Sequence, residues 1–349
     1  MKYILLFFLF ALIACSSKDE IQEADTDIRG ADISSLITIE NAGTKFYHNN
    51  QVQDVIKTLK NVGCNYIRLR LWFAPENNES SLAEVKILAQ RARQEGMKIW
   101  ITVHYSDTWA DPGSQLKPLA WQALNFSQLK TAVYDYTSLV MTELNPEIIQ
   151  IGNETNDGML WPEGKLSTNA SQYLALTNAA SQAIRIHSAT AKIMLHFAGT
   201  ANADFYFNKV KSVDYDYIGI SYYPLWHGKS LVALENSLNQ LATAYSKKVV
   251  IAETAYPFTL GYNDYTNNIV GLENHLIPAF PATVNGQASF LQGLKSMVNR
   301  SQNTIGFCYW EPQWVAFRGP TATNGSPWEN QALWDFENKS LPGLAFFNK

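Results

Sequence analysis

The chain has 349 residues, 46% of them hydrophobic, enough for one large core or two ordinary domains. A net charge of −4 and a pI near 5.9 give no support for nucleic-acid binding, which usually shows as a basic face. Only 17% of residues are charged while 13% are aromatic, including 10 tryptophans, a balance that suits uncharged polar ligands better than phosphates.

In chain order, the first segment reads as an export signal. Lys2 precedes an apolar run from Tyr3 to Ile13. That run is too short to span a bilayer as a mature helix, so residues 1–14 are expected to be a signal peptide. Leu12-Ile13-Ala14-Cys15 resembles a bacterial lipobox, which makes Cys15 the expected lipidation site; an ordinary signal peptide is the alternative. Ser16-Ser17-Lys18-Asp19-Glu20 is similar to the acidic tag of surface lipoproteins in some Gram-negative bacteria. Residues 15–27 then form a flexible tether, and the expected location is the outer membrane, facing the cell surface. Cys64 and Cys308 each sit beside or within a predicted buried strand. They are expected to be reduced core thiols, with a disulfide as the alternative in an exported protein. No Cys/His spacing matches a zinc site.

From Ile28 onward strand-like and helix-like segments alternate. Short Val/Ile-rich runs predict strands at 29–33, 66–71, 98–104, 148–151, 192–197, 217–221, 248–252 and 305–310. Between them, apolar residues recur at helical spacing: Val52, Val55, Ile56 and Leu59, then Leu82, Val85, Leu88 and Ala92. Leu129, Val133, Tyr136 and Val140 follow Ser127, a predicted N-cap. Leu231, Leu234, Leu238 and Leu241 make another stripe, as do Phe290, Leu291, Leu294 and Val298. Each stripe is read as packing onto a sheet. Eight strands alternating with helices over residues 28–349 predict a single (β/α)8 barrel of the TIM type with long βα loops. An open doubly wound sheet is the alternative, but no G-x-G-x-x-G follows any strand.

The loops after the strands carry the unusual residues. Trp72, Trp109, Trp121, Trp161, Trp226, Trp314 and Trp328 fall there, and Trp310 closes a strand. Aromatic faces stack on the apolar faces of sugar rings, so the pattern suggests a carbohydrate cleft, with about half of these rings expected only to plug the loops. Residues 254–286, with Pro257, Pro278 and Pro281, are too long for a simple connector and are expected to be a functional cover. Two glutamates stand where a strand gives way to a loop: Glu154, after Ile148-Ile149-Gln150-Ile151-Gly152-Asn153, and Glu253, after Val249-Val250-Ile251-Ala252. On predicted strands four and seven they face the mouth of a barrel, where such folds do their chemistry. Taken singly, either glutamate could be a salt-bridged loop residue. Together they form a candidate acid and nucleophile for a glycosidic bond, which requires carboxyl groups ~5–5.5 Å apart for retention. Asn153 could hydrogen-bond a sugar hydroxyl beside the reacting carbon. Arg68 and Arg70 share one strand face, and an arginine beside Glu253 would keep it ionised while Glu154 stays protonated. A purely structural ion pair is compatible with that role.

Seven stretches in order carry a resemblance: Arg29-Gly30-Ala31-Asp32-Ile33-Ser34, Ile67-Arg68-Leu69-Arg70-Leu71-Trp72, His104-Tyr105-Ser106-Asp107-Thr108-Trp109-Ala110-Asp111-Pro112, Gly152-Asn153-Glu154, Ser221-Tyr222-Tyr223-Pro224, Glu253-Thr254 and Tyr309-Trp310-Glu311-Pro312. The chain resembles glycoside hydrolase family 53, the retaining arabinogalactan endo-β-1,4-galactanases. The resemblance implies Glu154 as acid/base and Glu253 as nucleophile, acting on β-1,4-galactan without a cofactor. It implies Arg68, His104 and Asn153 at the attacked galactose and Trp310 stacked beneath it. One of Tyr222 and Tyr223 would hydrogen-bond the nucleophile. Trp109, Asp111, Trp226, His227 and Trp314 are further subsite candidates, and His196 is a candidate with a barrel-rim histidine as its alternative. Some bacterial relatives carry a long acidic calcium loop after strand eight. Here residues 313–334 hold Glu329 as their one acidic residue, so no metal is expected. A β-mannanase of related design and a glycan-binding protein without catalysis are the rival readings. A monomer is expected.

Overall fold

The computed structural model describes residues 27–349. The expected signal peptide, Cys15 and the tether up to residue 26 lie outside the described residues. Eight parallel strands close into a barrel in sequence order: β1 (Ile28–Asp32), β2 (Tyr66–Leu71), β3 (Lys98–Val103), β4 (Ile148–Ile151), β5 (Lys192–Ala198), β6 (Tyr217–Ser221), β7 (Lys248–Thr254) and β8 (Thr304–Trp310), with β8 pairing back onto β1. Every predicted strand is present, with ends within two residues of expectation. A separate two-stranded ribbon, Tyr47–His48 with Gln51–Val52, precedes the helix Val55–Asn61. Val52 was expected on that helix; it stands in the ribbon instead and is exposed, because Asp54 caps the helix one residue before Val55.

The other stripes lie on helices as predicted, at Leu82–Gln94, Phe126–Leu144, Leu231–Tyr245 and Val284–Arg300. The third helical start differs. Asn125, not Ser127, is the N-cap, and Gln128 reaches back to close a capping box. Four further helices carry no stripe picked out in the sequence: the short Leu36–Asn41 and Pro224–His227, and the longer Leu166–His187 and Ala203–Val210. Leu166–His187 is mostly Ala, Ser, Thr and Asn, so it shows little apolar contrast.

Two layers fill the barrel. Near the strand starts an apolar plug gathers Ile28, Tyr66, Trp100, Ile148, Met194, Tyr217, Val250, Ala252 and Cys308. Gly219 belongs there because a Cβ would stand 2.6 Å from Met194 Sδ. Towards the strand ends the inward positions turn polar: Asp32, Arg68, Gln150, His196 and Ser221 are all buried. Cys64 and Cys308 are buried and unbridged.

The residues from Ala255 to Gly286 do not cover the mouth. Their backbone is tied to the loop after β8 through Phe258 N–H to Asn330 O, Tyr265 N–H to Ala322 O and Ile269 N–H to Pro327 O. The Asn330 side chain also donates to Thr259 O (2.9 Å) and Val270 O (2.8 Å). The segment is a buttress, held by backbone polar groups that would otherwise need water.

Candidate active site

β7 carries the first decisive feature. Its side chains alternate normally at first, with Val249 and Ile251 packed towards the helices and Val250 and Ala252 in the plug. Strict alternation would then turn Glu253 outward with Ile251. Instead Ile251 pairs with Ile220 while Glu253 pairs with the next residue, Ser221, and β8 shows the matching shift between Phe307 and Tyr309. The extra residue is a β-bulge, which re-aims the carboxylate into the barrel mouth. Glu154 is re-aimed differently. Its φ of 44° is left-handed, unusual for a glutamate, and Gly152 two residues earlier has φ 74°. The turn is held by Glu154 N–H to His196 Nδ1 (3.2 Å) and by Thr155 N–H to His196 O (3.0 Å).

Both carboxyl groups open onto one cavity of about 680 Å³ at the strand ends. A carboxylate oxygen of Glu154, one of Glu253 and a ring nitrogen of His196 lie within 4.8 Å of one another. Arg68 binds Glu253 Oε1 (2.8 Å), Asp32 Oδ2 (2.7 Å) and Asn153 Oδ1 (3.0 Å) at once. Tyr223 donates its hydroxyl to Glu253 Oε2 (2.9 Å). Glu154 has one side-chain donor, Ser221 Oγ at 2.6 Å from Oε1.

These surroundings separate the two acids. Burial raises the pKa of Glu154 most, the nearby Glu253 charge raises it further, and the result is about 8. Burial raises Glu253 as well, but the Arg68 guanidinium first and the Tyr223 hydroxyl next favour its ionised form. Of the pair, Glu154 therefore keeps the proton at neutral pH. Burial works against the charge on Arg68, yet Glu253 and Asp32 outweigh it and raise its pKa. His104 is held neutral by burial and then by Arg70 and Arg68; its Nδ1 accepts Ala110 N–H (3.2 Å).

The cavity brings together Arg68, His104, Trp109, Asp111, Asn153, Glu154, Tyr223, Trp226, His227, Glu253 and Trp310, all singled out in the sequence. Three of the expected contact residues are placed elsewhere. The Tyr222 hydroxyl turns away and donates to Gly228 O (2.9 Å), so Tyr223 alone reaches the carboxylate. His196 is fully buried beneath Glu154 and cannot touch a ligand directly. Trp314 backs the wall: its ring lies nearly parallel to Trp109 at 6.5 Å. Of the eight loop and strand-end tryptophans, Trp109, Trp226, Trp310 and Trp328 line the cavity, while Trp72 and Trp121 are buried.

Asp32, Arg70 and Trp328 also line the cavity. Asp32 holds Arg68, and Arg70 lies 3.9 Å from the Trp109 ring centroid while bonded to Glu79 (2.9 Å). Trp328 sits against Trp310 and Tyr223. Trp328 is marked in the sequence as an aromatic after strand eight, and Ser221 only as the first residue of the Ser221-Tyr222-Tyr223-Pro224 stretch, with no role of its own. The trio of Glu154, His196 and Glu253 has the spacing of metal ligands. Its imidazole does not fit that use, since Nδ1 accepts Glu154 N–H and Nε2 is engaged by Ser221 Oγ at 2.9 Å.

A barrel whose open end pairs a protonated carboxyl with an ionised one, between tryptophan walls, is built as a glycoside hydrolase. Comparison narrows this class. The glycosyl hydrolase family 53 model matches residues 28–347, and the chain belongs to that family. It is 37% identical to the arabinogalactan endo-β-1,4-galactanase of Cellvibrio japonicus, over 91% of this chain and 89% of that one. It is 33% identical to the endo-β-1,4-galactanase of Bacillus subtilis, over 92% and 85%. The solved catalytic domain of the family 53 protein from Ignisphaera aggregans superposes with a TM-score of 0.85 at 36% identity, over 94% of this chain and 97% of that one.

Proposed function

We propose that this protein cleaves internal β-1,4-galactosidic bonds of pectic galactan with retention of configuration, Glu154 serving as acid/base and Glu253 as nucleophile. The observation that carries the reading is the pair of carboxyl groups within 4.8 Å, one held ionised by Arg68 and Tyr223 and the other protonated. A span that short leaves no room for a water between carboxylate and sugar, as inversion would need. Glu253 attacks the anomeric carbon while Glu154 protonates the departing oxygen. Glu154 then draws a proton from the water that releases the sugar. The names of the relatives support galactan as the polymer.

Chromatography of products from linear β-1,4-galactan tests substrate and endo action together, and proton NMR of the first-formed anomer tests retention. Glu253→Ala should keep its circular dichroism and lose nearly all cleavage. Wild-type rates in that variant, or products from mannan but not galactan, would overturn the assignment. The substrate is expected to be bound by a monomer. We further propose that Cys15 carries lipid and anchors the enzyme at the outer membrane. Metabolic labelling with an alkynyl fatty acid should mark the wild type and not Cys15→Ser.

A further inference from the structure

We propose that Ser221, with His196 behind it, is a positioning residue that keeps one oxygen of Glu154 occupied and leaves the other to carry the catalytic proton. The inference rests on the retaining reading above. It follows from the direction of each hydrogen bond. Gln150 Oε1 accepts from Arg68 Nη2 (3.3 Å), so its amide nitrogen faces His196 Nδ1 at 2.9 Å. The Glu154 backbone N–H points at the same Nδ1 (3.2 Å). Asn153 Oδ1 also lies 3.3 Å from Nδ1 but is already served by Arg68 Nη2 (3.0 Å). With two donors aimed at Nδ1, that ring nitrogen accepts and the ring hydrogen is on Nε2. That hydrogen is donated to Ser221 Oγ at 2.9 Å. The Ser221 hydroxyl, fully buried, passes its own hydrogen to Glu154 Oε1 at 2.6 Å.

A proton on Oε1 would either leave Ser221 Oγ accepting from both Oε1 and Nε2, its own hydrogen buried with no acceptor among the described residues, or reverse the whole row. In the reversed row Ser221 would donate to Nε2, the ring hydrogen would move to Nδ1, and Nδ1 would meet the Glu154 and Gln150 N–H groups head on. Either arrangement is costly in a buried site. Oε2 is therefore the oxygen that titrates. In the first step its proton goes to the glycosidic oxygen as the C–O bond breaks, the bonding pair stays on that oxygen, and a Glu253 oxygen bonds to the sugar carbon. In the second step water returns a proton to Oε2 and its oxygen to the carbon, and Glu253 leaves as a carboxylate. Oε1 keeps its bond to Ser221 throughout.

The charged and titratable groups facing Glu154 are Glu253 from β7, Arg68 from β2, Asp111 from the loop after β3, His196 from β5 and Tyr223 after β6. A Ser221 variant replaces none of these groups, and of their hydrogen bonds to one another and to Ser221 it removes, besides the one to Glu154, only the one from His196 Nε2. Ser221→Ala removes a donor to the ionised form, so the basic limb of kcat/KM on galactan should move up by about one pH unit or more. Ser221→Cys, close in size but a weak donor, should fall between Ala and wild type, and it carries the test if Ser221→Ala does not fold. A folded variant with an unmoved or lowered basic limb overturns the inference. If the wild type fails to cleave galactan, the functional reading falls. The positioning role is then tested separately by NMR titration of the 13C-labelled Glu154 carboxyl, whose midpoint should rise in Ser221→Ala and would stay fixed if the inference is wrong.

Discussion

Tyr222 and Tyr223 are neighbours of the same chemistry, both buried, yet only one is tied to the reacting groups. The backbone turns between them as β6 ends, sending one hydroxyl to Gly228 O and the other to Glu253. Tyr223→Phe should lower kcat/KM on galactan about 10- to 100-fold, since a hydrogen bond to a charged group contributes about 1.5–3 kcal/mol. Tyr222→Phe should leave kcat/KM unchanged and cost about 1 kcal/mol of stability, measured by denaturant unfolding. Equal kinetic losses in the two variants would mean that the hydroxyls share the site. Sequence could bring the pair to the strand end but not choose between them, because a strand's alternation of faces stops where the loop begins. Glu154 and Arg68 were legible for the opposite reason: a carboxylate after a doubly buried strand and a charge inside one both demand partners.

At the scale of elements, the eight strands could be read because each is a Val/Ile-rich run with burial on both faces. The bulge in β7 could not, since it is defined by what its neighbours pair with. It is nevertheless the feature that turns Glu253 inward. The segment after β7 shows the same limit: its length suggested a cover, and its hydrogen bonds make it a buttress. Asn330→Ala should leave Thr259 O and Val270 O without their side-chain donor and cost about 2 kcal/mol, lowering Tm by about 3 °C. The lengths of galactan products should stay unchanged. Altered product lengths at an unchanged Tm would restore the covering role.

Across the whole molecule, pH should act on activity and stability in linked ways. Galactan cleavage should fail as pH rises through about 8, where Glu154 gives up its proton. Stability depends on more groups. Burial, ahead of all other causes, pushes Glu154 and Glu311 up to about 8 and Glu329 up to about 7. These carboxyls hold protons in the folded state that the unfolded chain has released above about pH 4.3, so stability falls as pH rises towards 8. Burial lowers His104, His196 and His227, the last to about 4. The unfolded chain binds those protons below about pH 6.5, so the histidines add stability up to that pH and nothing beyond it. Tm should therefore fall between about pH 6.5 and 8, by calorimetry. A flat or rising Tm over that window would show that the three carboxyls are ionised in the fold.

By itself the sequence determined the barrel, the order of its strands and the two glutamates at strand ends. Those follow from local patterns: burial shows as runs of apolar residues, and an isolated charge after such a run is conspicuous. The tertiary structure alone decided which way Glu253 points, which tyrosine reaches it, and that His196 acts from beneath Glu154 through Ser221. Each of these depends on register between strands distant in the chain, and pairing register is a property of closure that no single segment carries.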